Sequence, residues 1–432
     1  MRRLTLVLAC CALPLAAGYA QQRALTLAEA IELAVKADPS VVQAEGNSRT
    51  AGANVRSTWG EYLPRISSTA SYGKSFSALP SHVDPVTNQI ISGNVTTGSL
   101  SLGGSASIDL FTGFRRGADL SSARANVADA DASLNDLRAQ SALKTSNQFI
   151  QTLLSADLVR QQQDAIRRAE DKLAIANAKL ATRANTIADS LSAVVDVARA
   201  RANLLTQQRN LTEAEATLAR LVGMDGRVSA VPDSSLFAVT PISDTAALMS
   251  EALSRSPTVL RAEARVRAQR ANVGIYRSAY WPALTLSANT SLNGSSQSSY
   301  DLSSTRGFNF GLSWSLFNGF QRERNLVQAN ANLDAARATA ADSRHAVAAS
   351  LTTQLAALGI AEERIRLTTQ SLDAARASAR VQTERYRLGS IGIVELNQAL
   401  DALSNAEQDA INARYEYLRA RAQIEAILGR RL

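Results

Sequence analysis

Residues 283–293 read Ala-Leu-Thr-Leu-Ser-Ala-Asn-Thr-Ser-Leu-Asn, so that mostly apolar side chains alternate with small, mostly polar ones. The same alternation occurs at 99–110 and 308–316, and more weakly at 66–76. Successive side chains of a strand point to opposite faces, so the pattern predicts four strands of about ten residues, apolar on one face and small-polar on the other. Strands of outer-membrane barrels have this length and pattern, although a half-buried sheet of a soluble protein shows the same alternation.

Two further features favour the membrane interpretation. The polar face carries Ser, Asn and Gly, whereas the solvent face of a soluble sheet usually carries Lys, Glu or Arg. The chain also begins like a secreted protein: 1–3 contains two arginines, 4–17 is apolar, and 18–20 supplies small residues before a cleavage site. This pattern predicts a signal peptide over 1–20. A lipoprotein signal ending before Cys10 is the alternative, and it leaves an apolar region of only about six residues.

The chain is a tandem repeat. Its Tyr-x-Pro motif at 62–64 recurs 218 positions later at 280–282, and its Leu-Phe-x-Gly-Phe motif at 110–114 recurs 206 positions later at 316–320. Such self-similarity indicates that the two halves share one structural plan.

The repeats define the expected domain organisation. They cover 21–223 and 244–432, with hairpins at about 64–112 and 282–318. Between them, 224–243 is rich in Pro, Ser and Asp, which is typical of a linker.

Two long segments are predicted to be helical. No proline occurs from about 114 to 180 or from about 321 to 386, and apolar residues recur there with heptad spacing. At 1.5 Å per residue each segment gives a helix roughly 100 Å long, and a seven-residue stripe implies left-handed supercoiling with neighbouring helices. The predicted fold class is an α+β membrane protein with long coiled-coil helices and two β-hairpins. A plain rod of the spectrin type would not explain the hairpins.

Four membrane strands cannot close a barrel within one chain. Single-chain barrels start at eight strands, and an open edge in lipid leaves backbone groups without partners. We therefore expect the chain to oligomerise, and two, three or four copies would give 8, 12 or 16 strands.

Several short motifs together point to a known family. They are Leu-Thr-Leu-Ala-Glu-Ala at 25–30, the two Tyr-x-Pro and two Leu-Phe-x-Gly motifs, and Tyr-Arg-Leu-Gly-Ser at 386–390 followed by Val-Glu-Leu at 394–396. In these motifs the chain resembles the TolC-like outer-membrane efflux family. The resemblance implies a homotrimer that forms a 12-stranded barrel in the outer membrane, continuous with a 12-helix tunnel across the periplasm. It also implies an exit duct for drugs or secreted polypeptides, working with a periplasmic adaptor and an inner-membrane transporter, either ABC or proton-driven.

The resemblance assigns functional roles to the turns between the long helices. It places the adaptor contact at Tyr386, Leu388, Gly389 and Ser390. A glycine such as Gly389 can adopt a positive φ and let the chain reverse.

The resemblance also places a periplasmic constriction at Asp189, Glu395 and Gln398. Asp189 and Glu395 are repeat equivalents, and a trimer would set six such carboxylates around one opening, which favours cations. The alternative is that both acids stabilise the N-terminus of their own helix. Gln398 stands where some relatives carry a second acid. Arg183 stands where the second repeat has Gly389, which predicts a different shape for the first turn.

The remaining observations argue against several function classes. The net charge is +8, but the arginines alternate with acids and no uninterrupted basic run occurs, so nucleic-acid binding is not expected. Cys10 and Cys11 precede the predicted cleavage site, which leaves no disulfide, and His82 and His345 lack metal-ligand spacing. No phosphate-binding loop or nucleophile elbow occurs, so we expect a protein that is not an enzyme and has no cofactor. Two other function classes remain as alternatives: an enzyme or binding module fused to a periplasmic rod, and a structural periplasmic coiled coil without a pore.

Overall fold

A computed structural model describes residues 23–78, 82–87, 89–91, 94–183, 186–233, 236–237, 244–296 and 300–431. The predicted signal peptide and both cysteines lie outside the described residues. In chain order the elements are β1 (Arg23–Leu25), α1 (Leu27–Ala37), α2 (Pro39–Gly60), β2 (Arg65–Ala78), β3 (His82–Val83), β4 (Ile90–Ile91), β5 (Asn94–Phe111), α3 (Arg115–Ala181), α4 (Ile187–Leu221), β6 (Val228–Ala230), α5 (Thr245–Arg255), α6 (Pro257–Ser278), β7 (Ala283–Ser295), β8 (Ser303–Ser313), α7 (Gln321–Arg387) and α8 (Ile393–Leu428).

The chain forms two compact units. The reversal unit, which contains both turns between long helices, comprises the described parts of Met1–Val42, Leu137–Ala252 and Ala348–Leu432. The sheet unit, which contains the four-stranded sheet, comprises the described parts of Gln43–Asp136 and Leu253–Val347.

The two long helices form where the sequence predicts them. Helices α3 and α7 each contain 67 residues, and their ends lie within one residue of the predicted bounds. Ala, Leu, Gln and Arg favour helix, and the heptad residues Leu351, Leu358 and Tyr386 are buried on α7. Among the described helices, none combines the length and the apolar character that crossing a membrane requires.

A four-stranded antiparallel sheet follows the order β2-β5-β7-β8. All four predicted strands are present, but β8 runs from Ser303 to Ser313, whereas the alternation predicted 308–316. The strand ends at Ser313 because this residue pairs with Ala283, the first residue of β7. Beyond it the chain turns, and the indole N–H of Trp314 donates to the carbonyl of Tyr280 at 3.3 Å. Strands β3 and β4 form a separate short ladder.

Part of the segment between the repeats forms a short strand with a buried residue. Its strand β6 pairs in parallel with β1, and the backbone N–H of Val231 donates to the carbonyl of Leu25 at 2.9 Å. Val228 and Leu25 are buried. Residues 228–231 therefore hold β1 in place within the reversal unit, a role that the composition of 224–243 does not indicate.

Candidate functional site

The sheet has one apolar and one polar face. Residues that lie opposite each other in an antiparallel ladder point to the same side. The apolar face therefore comprises Ile66, Ala70, Tyr72, Leu100, Leu102, Ala106, Ile108, Leu286, Ala288, Leu292, Phe308, Phe310 and Leu312. Ile66 is 82% exposed and Phe308 is 87% exposed, so the described part of the chain supplies no layer that covers them.

The polar face is bound together across its strands. It comprises Arg65, Ser67, Thr69, Ser71, Ser99, Ser101, Ser105, Ser107, Asp109, Thr285, Ser287, Asn289, Asn293, Thr305 and Asn309, among others. Side-chain hydrogen bonds join Ser67 to Ser105 at 2.8 Å, Ser101 to Asn293 at 2.8 Å, and Arg65 to Asp109 at 2.7 Å. Small hydroxyl and amide groups of this kind suit contact with water.

Both outer strands of the sheet have an open edge. The outer strands are β2, with 14 residues, and β8, with 11 residues. Each pairs on one side only within the described sheet. Every second residue of these strands therefore points its N–H and C=O to the open side, where they have no ladder partner. Long open edges of this kind are templates for pairing with another chain.

Aromatic side chains gather at the end of the sheet from which the helices continue. We call this group the aromatic collar: Trp59, Tyr62, Phe111, Phe114, Tyr280, Trp281, Trp314, Phe317 and Phe320. Phe114 makes edge-to-face contacts with Phe111 and Trp281, with ring centroids 5.3 and 5.4 Å apart, and Phe317 contacts Phe320 in the same way at 5.4 Å. Most collar side chains are exposed on their other side.

The Leu-Phe-x-Gly-Phe motifs form the turns of the collar. Gly113 and Phe114 have φ of 63° and 68°, and Gly319 and Phe320 have φ of 64° and 61°. With the hydrogen bond from the N–H of Arg115 to the carbonyl of Thr112, at 3.1 Å, the first turn has the geometry of type I′. A left-handed conformation costs a phenylalanine about 1–2 kcal/mol, and here it directs the ring to the collar surface.

Two arginines join the repeated motifs. The guanidinium carbon of Arg116 lies 5.3 Å from the ring centroid of Tyr62, and that of Arg322 lies 4.2 Å from the ring centroid of Tyr280. Each tyrosine belongs to Tyr-x-Pro, and each arginine is the second residue after Leu-Phe-x-Gly-Phe. The sequence interpretation missed these contacts, although the arginines recur at the repeat offset of 206.

In the reversal unit, the turn between α7 and α8 has the predicted glycine. Gly389 has φ of 78°, and the N–H groups of Gly389 and Ser390 donate to the carbonyls of Tyr386 and Arg385, at 3.1 and 2.8 Å. These bonds form a Schellman motif, which satisfies the last carbonyls of α7. The prediction that Gly389 reverses the chain is confirmed.

The four adaptor-contact candidates separate by burial. Leu388, Gly389 and Ser390 are exposed, but the side chain of Tyr386 is only 1% exposed. The ammonium of Lys179 lies 4.3 Å from its ring centroid and donates to its carbonyl at 2.8 Å. In this structure the Tyr386 ring therefore packs between helices and is not part of the accessible surface.

The turn between α3 and α4 uses an arginine where the other turn uses glycine. Arg183 has φ of 55°, the same left-handed conformation as Gly389. At this residue the two turns therefore have the same left-handed backbone conformation, which costs an arginine about 1–2 kcal/mol. Residues 184 and 185 lie outside the described residues.

The constriction candidates lie at helix N-termini. Thr186 caps α4: the Asp189 carboxylate accepts from the Thr186 N–H at 3.3 Å and from its hydroxyl at 2.9 Å, while that hydroxyl accepts from the Asp189 N–H at 3.3 Å. Glu395 occupies the same place on α8, and its Oε2 lies 3.0 Å from where a Cβ would stand on Gly392. Glu395 and Gln398 are exposed, and Asp189 is partly so.

A polar cluster joins the three helices behind these turns. The ammonium of Lys172 on α3 is buried and donates to Asp196 on α4 and to Asn397 on α8, the latter at 2.7 Å. Arg168 pairs with Glu407 through both carboxylate oxygens, at 2.8 and 3.2 Å. Removing one partner of such a buried charge pair costs about 3–5 kcal/mol, because the other charge is then left without compensation.

Tyr415 continues this contact between α3 and α8. Its hydroxyl donates to the Asp157 carboxylate at 2.6 Å. Burial, and then the hydrogen bond to Asp157, raise the pKa of Tyr415 far above its ordinary value. The phenol therefore remains a donor at every physiological pH. Within the described ranges, no three His, Cys, Asp or Glu side chains come together as a metal site.

Comparison with known proteins gives consistent results. A family model described as outer membrane efflux protein matches residues 30–224 and 248–430. Outer membrane protein TolC of Escherichia coli (strain K12) is 26% identical over 243 residues, which are 53% of this chain and 49% of TolC. The chain thus spans about half the length of this relative.

Solved structures share the fold over nearly the whole chain. CusC, a protein described as forming a transmembrane channel, has a TM-score of 0.79 at 18% identity, covering 94% of this chain and 92% of its own. The outer membrane protein VceC of Vibrio cholerae has a TM-score of 0.74 at 19% identity, covering 94% and 96%.

Proposed function

Because the chain belongs to the outer membrane efflux protein family, we propose that it is the outer-membrane exit duct of an export system. Three copies contribute four strands each to a 12-stranded barrel, and their long helices form a tunnel in the periplasm. A periplasmic adaptor and an inner-membrane transporter, ABC or proton-driven, deliver the cargo, which is a drug or a secreted polypeptide. The protein itself carries out no chemistry and needs no cofactor.

The sheet is the observation that carries this proposal. A soluble protein seldom leaves residues such as Ile66, Phe308 and Phe310 open to water on one contiguous surface. Contact with lipid on the apolar face and with a water-filled channel on the polar face explains both compositions. The domain organisation fits this arrangement, since each repeat supplies one hairpin and one long helix.

The dimensions of the sheet support a membrane location for it. Ile66 and Phe76 point to the same face of β2 and are ten residues apart. This separation is about 33 Å along the strand and about 25 Å along the membrane normal at a tilt of about 40°, which matches the apolar band of outer-membrane barrels. Lys74 and Arg306 also fall on this face, near the strand ends that lie away from the helices, where long cationic side chains reach headgroups.

The open edges support oligomerisation. In lipid, the unpaired N–H and C=O groups of β2 and β8 would each cost several kcal/mol. Pairing β8 of one copy with β2 of the next satisfies both edges and closes the sheet. The strand count alone allows two, three or four copies, and family membership favours three.

The turns of the reversal unit supply the proposed periplasmic end. We retain Asp189, Glu395 and Gln398 as the lining of a constriction, because the first two occupy equivalent places just after the helix reversal. The adaptor contact is kept for the exposed residues Leu388, Gly389 and Ser390. Local capping by Asp189 and a place in the constriction are compatible, since one carboxylate can serve both.

Cross-linking of protein extracted from outer membranes tests the proposal. We expect trimers in detergent and ion conductance after reconstitution into planar bilayers. Recovery of monomers only, or of a purely soluble periplasmic protein, would contradict the duct and favour the structural coiled coil without a pore.

A further inference from the structure

An arginine that packs on the aromatic collar has incomplete hydrogen bonding. The Nε and Nη2 atoms of Arg116 are buried and have no hydrogen-bond partner. Its guanidinium lies over the ring of Tyr62, which offers a π face but no acceptor atom. Buried donors of a charged group are seldom left unpaired, so this position calls for an acceptor that the described chain does not supply.

In the second repeat, the equivalent arginine has an acceptor. Arg322 is the repeat equivalent of Arg116 and lies over Tyr280 in the same way. Its Nε and Nη2 both donate to the Glu323 carboxylate at 3.1 Å, and its Nη1 donates to the carbonyl of Ser315 at 3.1 Å. In the first repeat the place of Glu323 is taken by Gly117. The arginine has been kept and its carboxylate is missing.

The first turn of α3 also lacks an acidic residue that could pair with Arg116. The first turn of α3 contains Arg115 and Arg116 and no acid, although the N-terminus of a helix is its positive end. Arg115 pairs with Asp119 at 3.4 Å. Arg116 has no such partner among the described ion pairs. The first turn of α7, by contrast, contains Glu323.

We propose that Arg116 binds the phosphate of an anionic lipid headgroup, which takes the place that Glu323 holds in the second repeat. This inference rests on the proposed function, which puts the collar at the periplasmic surface of the outer membrane. Phosphate accepts two parallel hydrogen bonds from a guanidinium, as a carboxylate does. Both donors are buried in this structure, so the proposal requires the guanidinium to turn outward to meet the phosphate, where unpaired donors become paired.

A lipid fits the surroundings better than a free anion does. Trp59 and Phe114 of the collar are 51% and 64% exposed and lie where a membrane interface would meet them. Aromatic side chains prefer the headgroup region, and they give the apolar part of a lipid a surface that inorganic phosphate cannot use.

The test compares delipidated, purified protein with phosphatidylglycerol, phosphatidylcholine or inorganic phosphate, by native mass spectrometry and thermal melting. For the wild type we expect retention of phosphatidylglycerol and a rise in melting temperature that the other two additions do not reproduce. Arg116→Gln should reduce retention about tenfold, the equivalent of one charge-assisted contact. Equal shifts with inorganic phosphate would overturn the lipid assignment and leave a site for free anions only.

Gly117→Glu is the decisive variant, because it restores an internal carboxylate and keeps Arg116. A Cβ at Gly117 meets nothing within 4 Å, so the variant should fold. We expect it to lose lipid retention and to melt at or above the wild-type temperature without lipid. Glu323→Gly should do the reverse and double the retained lipid. Unchanged retention in Gly117→Glu would overturn the inference, whereas a protein that never forms trimers would instead contradict the proposed function.

Discussion

Arg183 and Gly389, which are repeat equivalents, both adopt the left-handed conformation at the ends of α3 and α7, with φ of 55° and 78°. An L-residue with a side chain pays about 1 kcal/mol for this conformation, and glycine does not. At this one residue the two helix ends therefore have the same conformation, and only Gly389 adopts it without strain.

We predict that Arg183→Gly stabilises the protein by up to about 1 kcal/mol and that Gly389→Ala destabilises it by about 1 kcal/mol. Nothing lies within 4 Å of a Cβ on Gly389, so its substitution reports backbone strain alone. Denaturant unfolding followed by circular dichroism in detergent measures both changes. Destabilisation by Arg183→Gly would show that its side chain makes a contact that outweighs the strain.

Substitution of the two collar-turn glycines should cost different amounts of stability, although both have the same left-handed conformation. A Cβ on Gly113 would lie 2.8 Å from the carbonyl oxygen of Ser278 and 2.8 Å from the Cβ of Trp281, whereas one on Gly319 meets nothing within 4 Å. Gly319→Ala should therefore cost about 1 kcal/mol from strain, and Gly113→Ala about 3 kcal/mol from strain and overlap. Unfolding free energies of the two variants test this, and equal costs would contradict the close approach of Gly113 to the second repeat.

Regular periodicity explains which parts of the fold were predictable. Helices α3 and α7 are long, so a seven-residue stripe locates them almost to the residue. Strands β1 and β6 have three residues each and show no period; only their pairing with each other creates them. The far end of β8 was missed because Ser303 and its neighbours are polar, and their place in the sheet is set by pairing with β7.

The candidate sites could be predicted from the sequence only in part. Local signals identified Gly389 and the first-turn acids, since capping depends on neighbours in sequence. Tyr386 is buried against residues that lie far away along the chain, among them Lys179. The stacking of Arg116 on Tyr62 and the incomplete hydrogen bonding of its guanidinium likewise need the folded arrangement.

We predict that the two faces of the sheet react differently with a membrane-impermeant thiol reagent. Cysteines at Ser287 and Ser313 should be labelled from the channel, and cysteines at Leu286 and Leu312 should resist, because adjacent residues of a strand point to opposite faces. The natural cysteines both precede the predicted cleavage site, so a protein cleaved there would carry no background thiol. The reverse pattern would mean that the apolar face is turned to water.

The buried ammonium of Lys172 should contribute more to the free energy of unfolding than an exposed lysine does. Lys172→Met leaves the Asp196 carboxylate without its buried partner, although Arg199 still lies 3.4 Å from it, and should destabilise the protein by about 3 kcal/mol. Lys36 pairs with Glu32 at 2.6 Å on the surface, and Lys36→Met is the matched control with an expected effect within about 0.5 kcal/mol. Equal effects in unfolding experiments would contradict the structural role of the cluster.

The proposed constriction can be tested without disturbing the helix caps. In Asp189→Asn and Glu395→Gln the side chains keep their size and an oxygen that accepts hydrogen bonds, and they lose their charge. Carboxylates a few Å apart in a narrow opening interact by roughly 1–4 kcal/mol per pair and attract multivalent cations. We therefore expect the double variant to show weaker block by trivalent cations and lower cation preference in single-channel recordings, with nearly unchanged stability.

Thr186→Ala provides the complementary change, because it removes the capping hydroxyl and keeps the Asp189 carboxylate. Loss of such a cap costs about 1 kcal/mol, so this variant should unfold more easily and retain the wild-type block and selectivity. These variants would then separate the two effects, since the carboxylate charge would control cation block and the Thr186 cap would control helix stability. If the double variant kept its block while Thr186→Ala lost it, the acids would act only on the N-termini of α4 and α8, and the constriction would lie elsewhere.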